Sequence, residues 1–152
     1  MHLTRSFEVM RTRDDVVELL CSDETLLGLV PDGHTEIIES EGDHRTTVTR
    51  YRILGAPGVA TFHFTFLLDG DVCFEKVCNG NVWKRLEGRV SVEERGHSRC
   101  DVQIEVSGWT KSFVPELTIR APMEYQIHEM TKALEERLNS RASREDFSSH
   151  NP

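Results

Sequence analysis

The chain has 152 residues, of which 38% are hydrophobic and 29% charged, with a formal net charge of −8. This is one domain of ordinary size, apolar enough to bury a core and too acidic to suit nucleic acid or anionic membrane surfaces. No apolar run approaches the roughly 20 residues of a membrane span, and Met1–Arg5 lacks an apolar signal core, so the expected setting is the cytoplasm, without stable membrane insertion.

In chain order, Leu3, Arg5, Phe7 and Val9 alternate with Thr4, Ser6 and Glu8, which reads as an opening strand. Thr12 can cap a short helix that has Asp14 and Asp15 in its first turn and carries Val16, Val17, Leu19 and Leu20. Cys21-Ser22-Asp23 breaks it. Asp23 can cap a second short helix through Leu29, which Val30-Pro31-Asp32-Gly33 ends. His34–Glu41 and His44–Leu54 form a hairpin across Gly42-Asp43, with the choice of Ile37 or Ile38 as the inward residue open.

Four further strands follow: Val59–Leu68, Val72–Cys78, Val82–Glu94 and Ser98–Thr110. They are separated by Asp69-Gly70-Asp71, Asn79-Gly80-Asn81 and Arg95-Gly96-His97, of which Asp-Gly and Asn-Gly are hairpin signals because glycine takes the positive φ of the turn. Three-residue turns predict Phe66 opposite Phe74, Phe64 opposite Lys76, Phe74 opposite Leu86, Glu75 opposite Arg85 and Val90 opposite Val102. Two-residue turns would set Phe64 against Glu75 and Phe74 against Arg85, a poorer match of cross-strand pairs. Pairing Leu54 with Val59 places Tyr51 opposite Phe62, Thr49 opposite Phe64 and Thr47 opposite Phe66, an unusually polar inward face.

From Pro122 the period becomes helical. Met123, Ile127, Met130, Leu134 and Leu138 share one face, expected to pack on Phe64, Phe66, Phe74, Leu86 and Ile104. Pro115 and Pro122 both suit a first helical turn, and Leu117 and Ile119 fit an extra turn before Pro122. Residues 139–152, rich in Ser, Arg and Asn, read as a disordered tail behind a domain of residues 1–138.

A strand, two short helices ending in Leu29-Val30-Pro31-Asp32-Gly33, about six antiparallel strands including Trp83–Val90, and one long Met/Ile/Leu helix make an order that resembles the START-like superfamily, also called SRPBCC or helix-grip. The resemblance covers Leu3 to Leu138 and is nearest to small polyketide cyclase/dehydrase-like and lipid-transport-like members. It implies an α+β fold, a curved sheet of about seven strands gripping the C-terminal helix, with a cavity for an apolar ligand between them. It implies no fixed catalytic residues and no cofactor.

The candidate ligand-binding residues are Thr49, Tyr51, Phe62, Phe64, Phe66, Phe74, Lys76, Lys84, Met123, Ile127 and Met130. The phenylalanine stripe is either core or a cavity wall. Lys76 and Lys84 are expected inward and opposite one another, so either an anion lies between them or a bulge or the sheet rim frees them. Tyr51 is the one candidate for a catalytic role, as proton donor to a ligand carbonyl; the alternative is a tyrosine that merely satisfies its hydroxyl. Cys21, Cys73, Cys78 and Cys100 and the seven histidines show no metal-ligand spacing, so no metal is expected. Three functions remain open: a binder of a hydrophobic small molecule, an aromatase/cyclase-like enzyme, and an interaction module without a usable cavity. Trp83 is expected opposite Trp109 on the outer face, as a patch for a homodimer. The alternatives are that a bulge near Gly108 turns Trp109 inward, or that the N-terminal segment or the tail around Phe147 covers the pair.

Overall fold

The computed structural model describes residues 1–53, 55–80 and 82–149. The elements in order are β1 (His2–Val9), α1 (Arg13–Leu20), α2 (Asp23–Leu27), β2 (His34–Glu41), β3 (His44–Ile53), β4 (Ala56–Phe66), β5 (Val72–Lys76), β6 (Trp83–Gly96), β7 (Arg99–Thr110) and α3 (Glu116–Ser149). The strands form one curved antiparallel sheet in the order β1-β7-β6-β5-β4-β3-β2. This is the helix-grip architecture that the order of elements predicts.

Local chemistry sets the helix ends. Thr12 Oγ1 accepts from the Asp15 amide at 3.3 Å, so α1 starts where the cap residue predicts. In α2 the cap position belongs to Ser22, and Asp23 sits in the first turn, where its charge suits the helix dipole. The third helix begins at Glu116, and Pro122 lies inside it rather than at its start. Pro122 removes one backbone bond without ending the helix. The backbone of α3 runs on to Ser149, Leu138 is fully buried, and residues 150–152 of the tail lie outside the described residues.

Faces are as expected except at Trp83 and Lys84 in β6; registers are not. Phe64 pairs with Phe74, Phe62 with Lys76 and Phe66 with Val72. Phe74 pairs with Gly88 and Glu75 with Glu87, while Val90 pairs with Ile104 and Val92 with Val102. Each of these three hairpins has slipped by two residues, which by itself leaves side chains on their faces because the strand period is two. In β4–β5 the cause is the turn. Its loop spans Leu67–Asp71, closed by Leu67 N–H to Asp71 O at 2.8 Å and by Asp71 N–H to Asp69 Oδ1 at 3.0 Å, with Gly70 at φ 94°. At the other end the β3–β4 turn is tighter than expected: Ile53 pairs with Ala56, so Tyr51 meets Gly58, Thr49 meets Ala60 and Thr47 meets Phe62. Leu54, expected opposite Val59, lies outside the described residues.

Two bulges decide what periodicity left open or misplaced. One between Ile37 and Glu39 leaves Ile37 half-buried on the face of Thr35 and turns Ile38 out. The other lies between Trp83 and Arg85. It swings Trp83 into the core at 4% exposure, while Trp109 stays on the outer face at 47%, with the Arg85 guanidinium 5.4 Å from its ring centroid. The expected outer Trp83–Trp109 pair is therefore not formed: Trp83, not Trp109, is the ring turned inward. Phe147, the tail residue proposed to cover that pair, has a side chain outside the described residues.

The core joins the inner faces of β6 and β7 (Leu86, Val90, Val92, Val102, Ile104, Val106) to Ile127, Leu134 and Leu138 of α3 and to Val16, Leu19 and Leu20 of α1. Cys100 is fully buried and Cys78 packs against the core, both as small inward hydrophobes. No helix among the described residues is long and apolar enough to cross a membrane.

Candidate ligand cavity between the sheet and the long helix

Thr47, Thr49 and Tyr51 alternate inward on β3, Ala60, Phe62 and Phe64 on β4, and Phe74 and Lys76 on β5. Met123, Gln126, Ile127, Met130, Thr131 and Leu134 face them from α3, and Leu26, Leu29 and Val30 close one side. They enclose a cavity of about 110 Å³. For scale, a dry apolar cavity of about 150 Å³ binds benzene, and drug-sized pockets run to roughly 300–1,000 Å³.

Glycines hold the space open. Phe74 lies on its partner Gly88, where a Cβ would fall 2.2 Å from the ring. Tyr51 lies likewise on its partner Gly58, with a Cβ 2.7 Å from the ring, and Trp83 on Gly108 at 2.5 Å. Rings seated this close to bare backbone occupy the space a Cβ would take and form a floor to the cavity. Phe62, Phe64 and Phe74 extend that floor, with centroids 6.0–6.3 Å apart in tilted and edge-on contact.

The polar groups of the lining fall into two sets. Thr35 and Thr49 share a hydroxyl hydrogen bond of 2.8 Å, Thr131 donates to Ile127 O at 2.7 Å, and Thr25 donates to Leu19 O at 2.6 Å. These are satisfied within the protein. Thr47, Tyr51, Lys76 and Gln126 make no side-chain hydrogen bond to any described residue, although Thr47 is only 2% exposed. Lys76 is the sole Lys, Arg, Asp, Glu or His side chain in the described lining. Loss of hydration lowers its pKa below 10.5, slightly opposed by Cys78. Burial also raises the Tyr51 pKa above 10.0, which keeps the phenol protonated as a donor.

Of the residues singled out from the sequence, Thr49, Tyr51, Phe62, Phe64, Phe74, Lys76, Met123, Ile127 and Met130 meet around this cavity. Phe66 does not. It shares their face but sits at the strand end beneath the Arg45 guanidinium, 5.3 Å from its centroid. Lys84 does not either: it is the residue within the β6 bulge and is exposed, so the expected inward lysine pair reduces to Lys76 alone. Sequence reasoning missed Thr35, Trp83, Gln126, Thr131 and the α1–α2 wall. Gln126 and Thr131 were within reach, since they stand one helical turn from Met130 and Ile127 on the same face. Trp83 was not, because no local signal marks the bulge. No group of three or more His, Cys, Asp or Glu suited to a metal occurs among the described residues.

No family model and no curated protein sequence matches the chain. Many solved structures share its fold. An aromatase/cyclase from Streptomyces superposes with a TM-score of 0.76 at 14% identity, over 95% of this chain and 94% of its own. A START superfamily protein from Mycobacterium smegmatis gives 0.71 at 18% identity, over 90% and 96%. A STAR-related lipid transfer protein from Xanthomonas axonopodis gives 0.64 at 18% identity, over 90% and 85%. The fold of this chain is that of the START-like superfamily.

Proposed function

We propose that the chain binds a hydrophobic or amphipathic small molecule between the sheet and α3. The observation that carries this reading is the cavity itself, an apolar space kept open by ring-on-glycine packing where a plain core would close. The names of the structural neighbours, a lipid transfer protein and an aromatase/cyclase, agree with it. Native mass spectrometry of protein purified from its own host tests it together with a variant, Ala60→Phe, that fills the cavity from β4. Retained or added apolar ligand should be seen in wild type and lost in the folded variant; equal occupancy in both would end the reading.

A second reading is aromatase/cyclase-like catalysis with Tyr51 as proton donor, supported by its protonated, unpartnered hydroxyl at the cavity. Tyr51→Phe should then abolish turnover of a reactive polyketone while leaving ligand affinity nearly unchanged. Unchanged turnover removes Tyr51 from that role.

A further inference from the structure

We propose that the cavity selects a monoanionic head, the carboxylate of a ring-sized or short-chain apolar acid, and holds it between Lys76 and Thr47. The inference rests on the binding reading above and names the chemical class of its ligand.

Thr47, Phe62 and Lys76 stand in one row across β3, β4 and β5, each directly opposite the next. Two strand spacings separate the outer pair, roughly 9–10 Å between backbones, and the lysine side chain can cross much of that. A carboxylate above Phe62 is within reach of the Lys76 ammonium on one side and the Thr47 hydroxyl on the other. Its apolar body then lies on the rings of Phe62, Phe64 and Phe74.

Three observations select this head group. The hydroxyl of Thr47, a residue 2% exposed, and the half-buried Lys76 amine both line the cavity and bond to no described residue, a donor set waiting for an acceptor. Lys76 has no carboxylate partner among the described residues, so an acid supplies the counter-charge that the protein withholds. One cation with no second one in the described lining balances one negative charge, which suits a carboxylate better than a dianionic phosphate. A volume of about 110 Å³ is on the scale of a ring or a short chain, which favours a small apolar body. Lowered lysine basicity agrees: binding at alkaline pH should draw a proton onto Lys76.

The test compares matched acids and alcohols, hexanoate with hexanol and benzoate with benzyl alcohol, by calorimetry or NMR titration of the full chain. Wild type should prefer each acid. Lys76→Met and the more conservative Lys76→Gln should erase that preference, weakening the acids by about tenfold to a hundredfold while the alcohols bind as before. Thr47→Val should weaken the acids by a smaller factor. Acid and alcohol binding alike in wild type, or an acid preference that survives both Lys76 variants in folded protein, overturns the head-group assignment and leaves the cavity reading standing. If no probe binds and Ala60→Phe changes nothing, both fall together.

Discussion

The two ends of the sheet face α3 with different chemistry. On β6 and β7 the inward residues are Leu86, Val90, Val92, Val102, Ile104 and Val106, each 8% exposed or less. On β3 they are Thr47, Thr49 and Tyr51, with Thr35 beside them on β2. Both stretches have strong strand formers, so both make good sheet. The first packs with Ile127 and Leu134 in the core, and its Leu86, Val90, Ile104 and Val106 also form the apolar wall of the cavity. The second keeps hydroxyls under the helix, which is tolerable only where they pair, as Thr35 and Thr49 do, or face open space, as Thr47 does. One wall is wholly apolar, and the other carries the polar groups left for something the protein does not itself supply.

Substitutions can break this contrast. The largest effect is expected from Ile127→Asp, which sets an unpaired carboxylate at a position 6% exposed against the apolar wall. Loss of several kcal/mol should abolish the cooperative thermal transition, and an unchanged melting temperature would contradict the placement of α3. Next is Gly88→Ala. Its methyl would lie 2.2 Å from the Phe74 ring and 2.6 Å from the Glu105 carbonyl, which is backbone and cannot yield cheaply. A loss of about 1–3 kcal/mol in denaturant unfolding is expected, together with displacement of Phe74 into the cavity.

On the polar wall the effects should be smaller and non-additive. Thr49→Val alone leaves the buried Thr35 hydroxyl unpaired and should cost about 1 kcal/mol or more, whereas Thr35→Val with Thr49→Val should be nearly neutral. A double variant as costly as the sum of the two singles would show that the pair is not a closed unit.

The smallest effect concerns pH. The Lys76 pKa is lower in the folded chain than the 10.5 of an exposed lysine. Between those two values the unfolded chain binds more protons, so stability should rise with pH in that alkaline window. Below it the charged amine is a constant burden. Lys76→Met should therefore be more stable than wild type at neutral pH and lack the alkaline rise. Urea titrations at a series of pH values check this, and parallel curves would mean that Lys76 is fully hydrated.

The sequence by itself determined the element order, the face of nearly every strand residue and the stripe of α3. Alternation in strands and the 3.6-residue period in the helix are local properties, and burial of the greasy face leaves one assembly for this order of elements. That is why the pattern of residues alone brings Phe62, Phe64, Phe74, Ile127 and Met130 to one site. Register and bulges were decided elsewhere. A slip of two residues preserves every face, so hydrophobic patterning does not see it, and the loop at Leu67–Asp71 and the fit of Phe74 onto Gly88 set it instead. The bulge at Lys84 inverts the rule of alternation at one point. It carries Trp83 into the core beside Gly108 and Lys84 out to solvent, and so leaves Lys76 the lone cation at the cavity among the described residues. Only packing across three strands could decide that, because the partners involved, Gly108 and Thr110, are far from Trp83 along the chain.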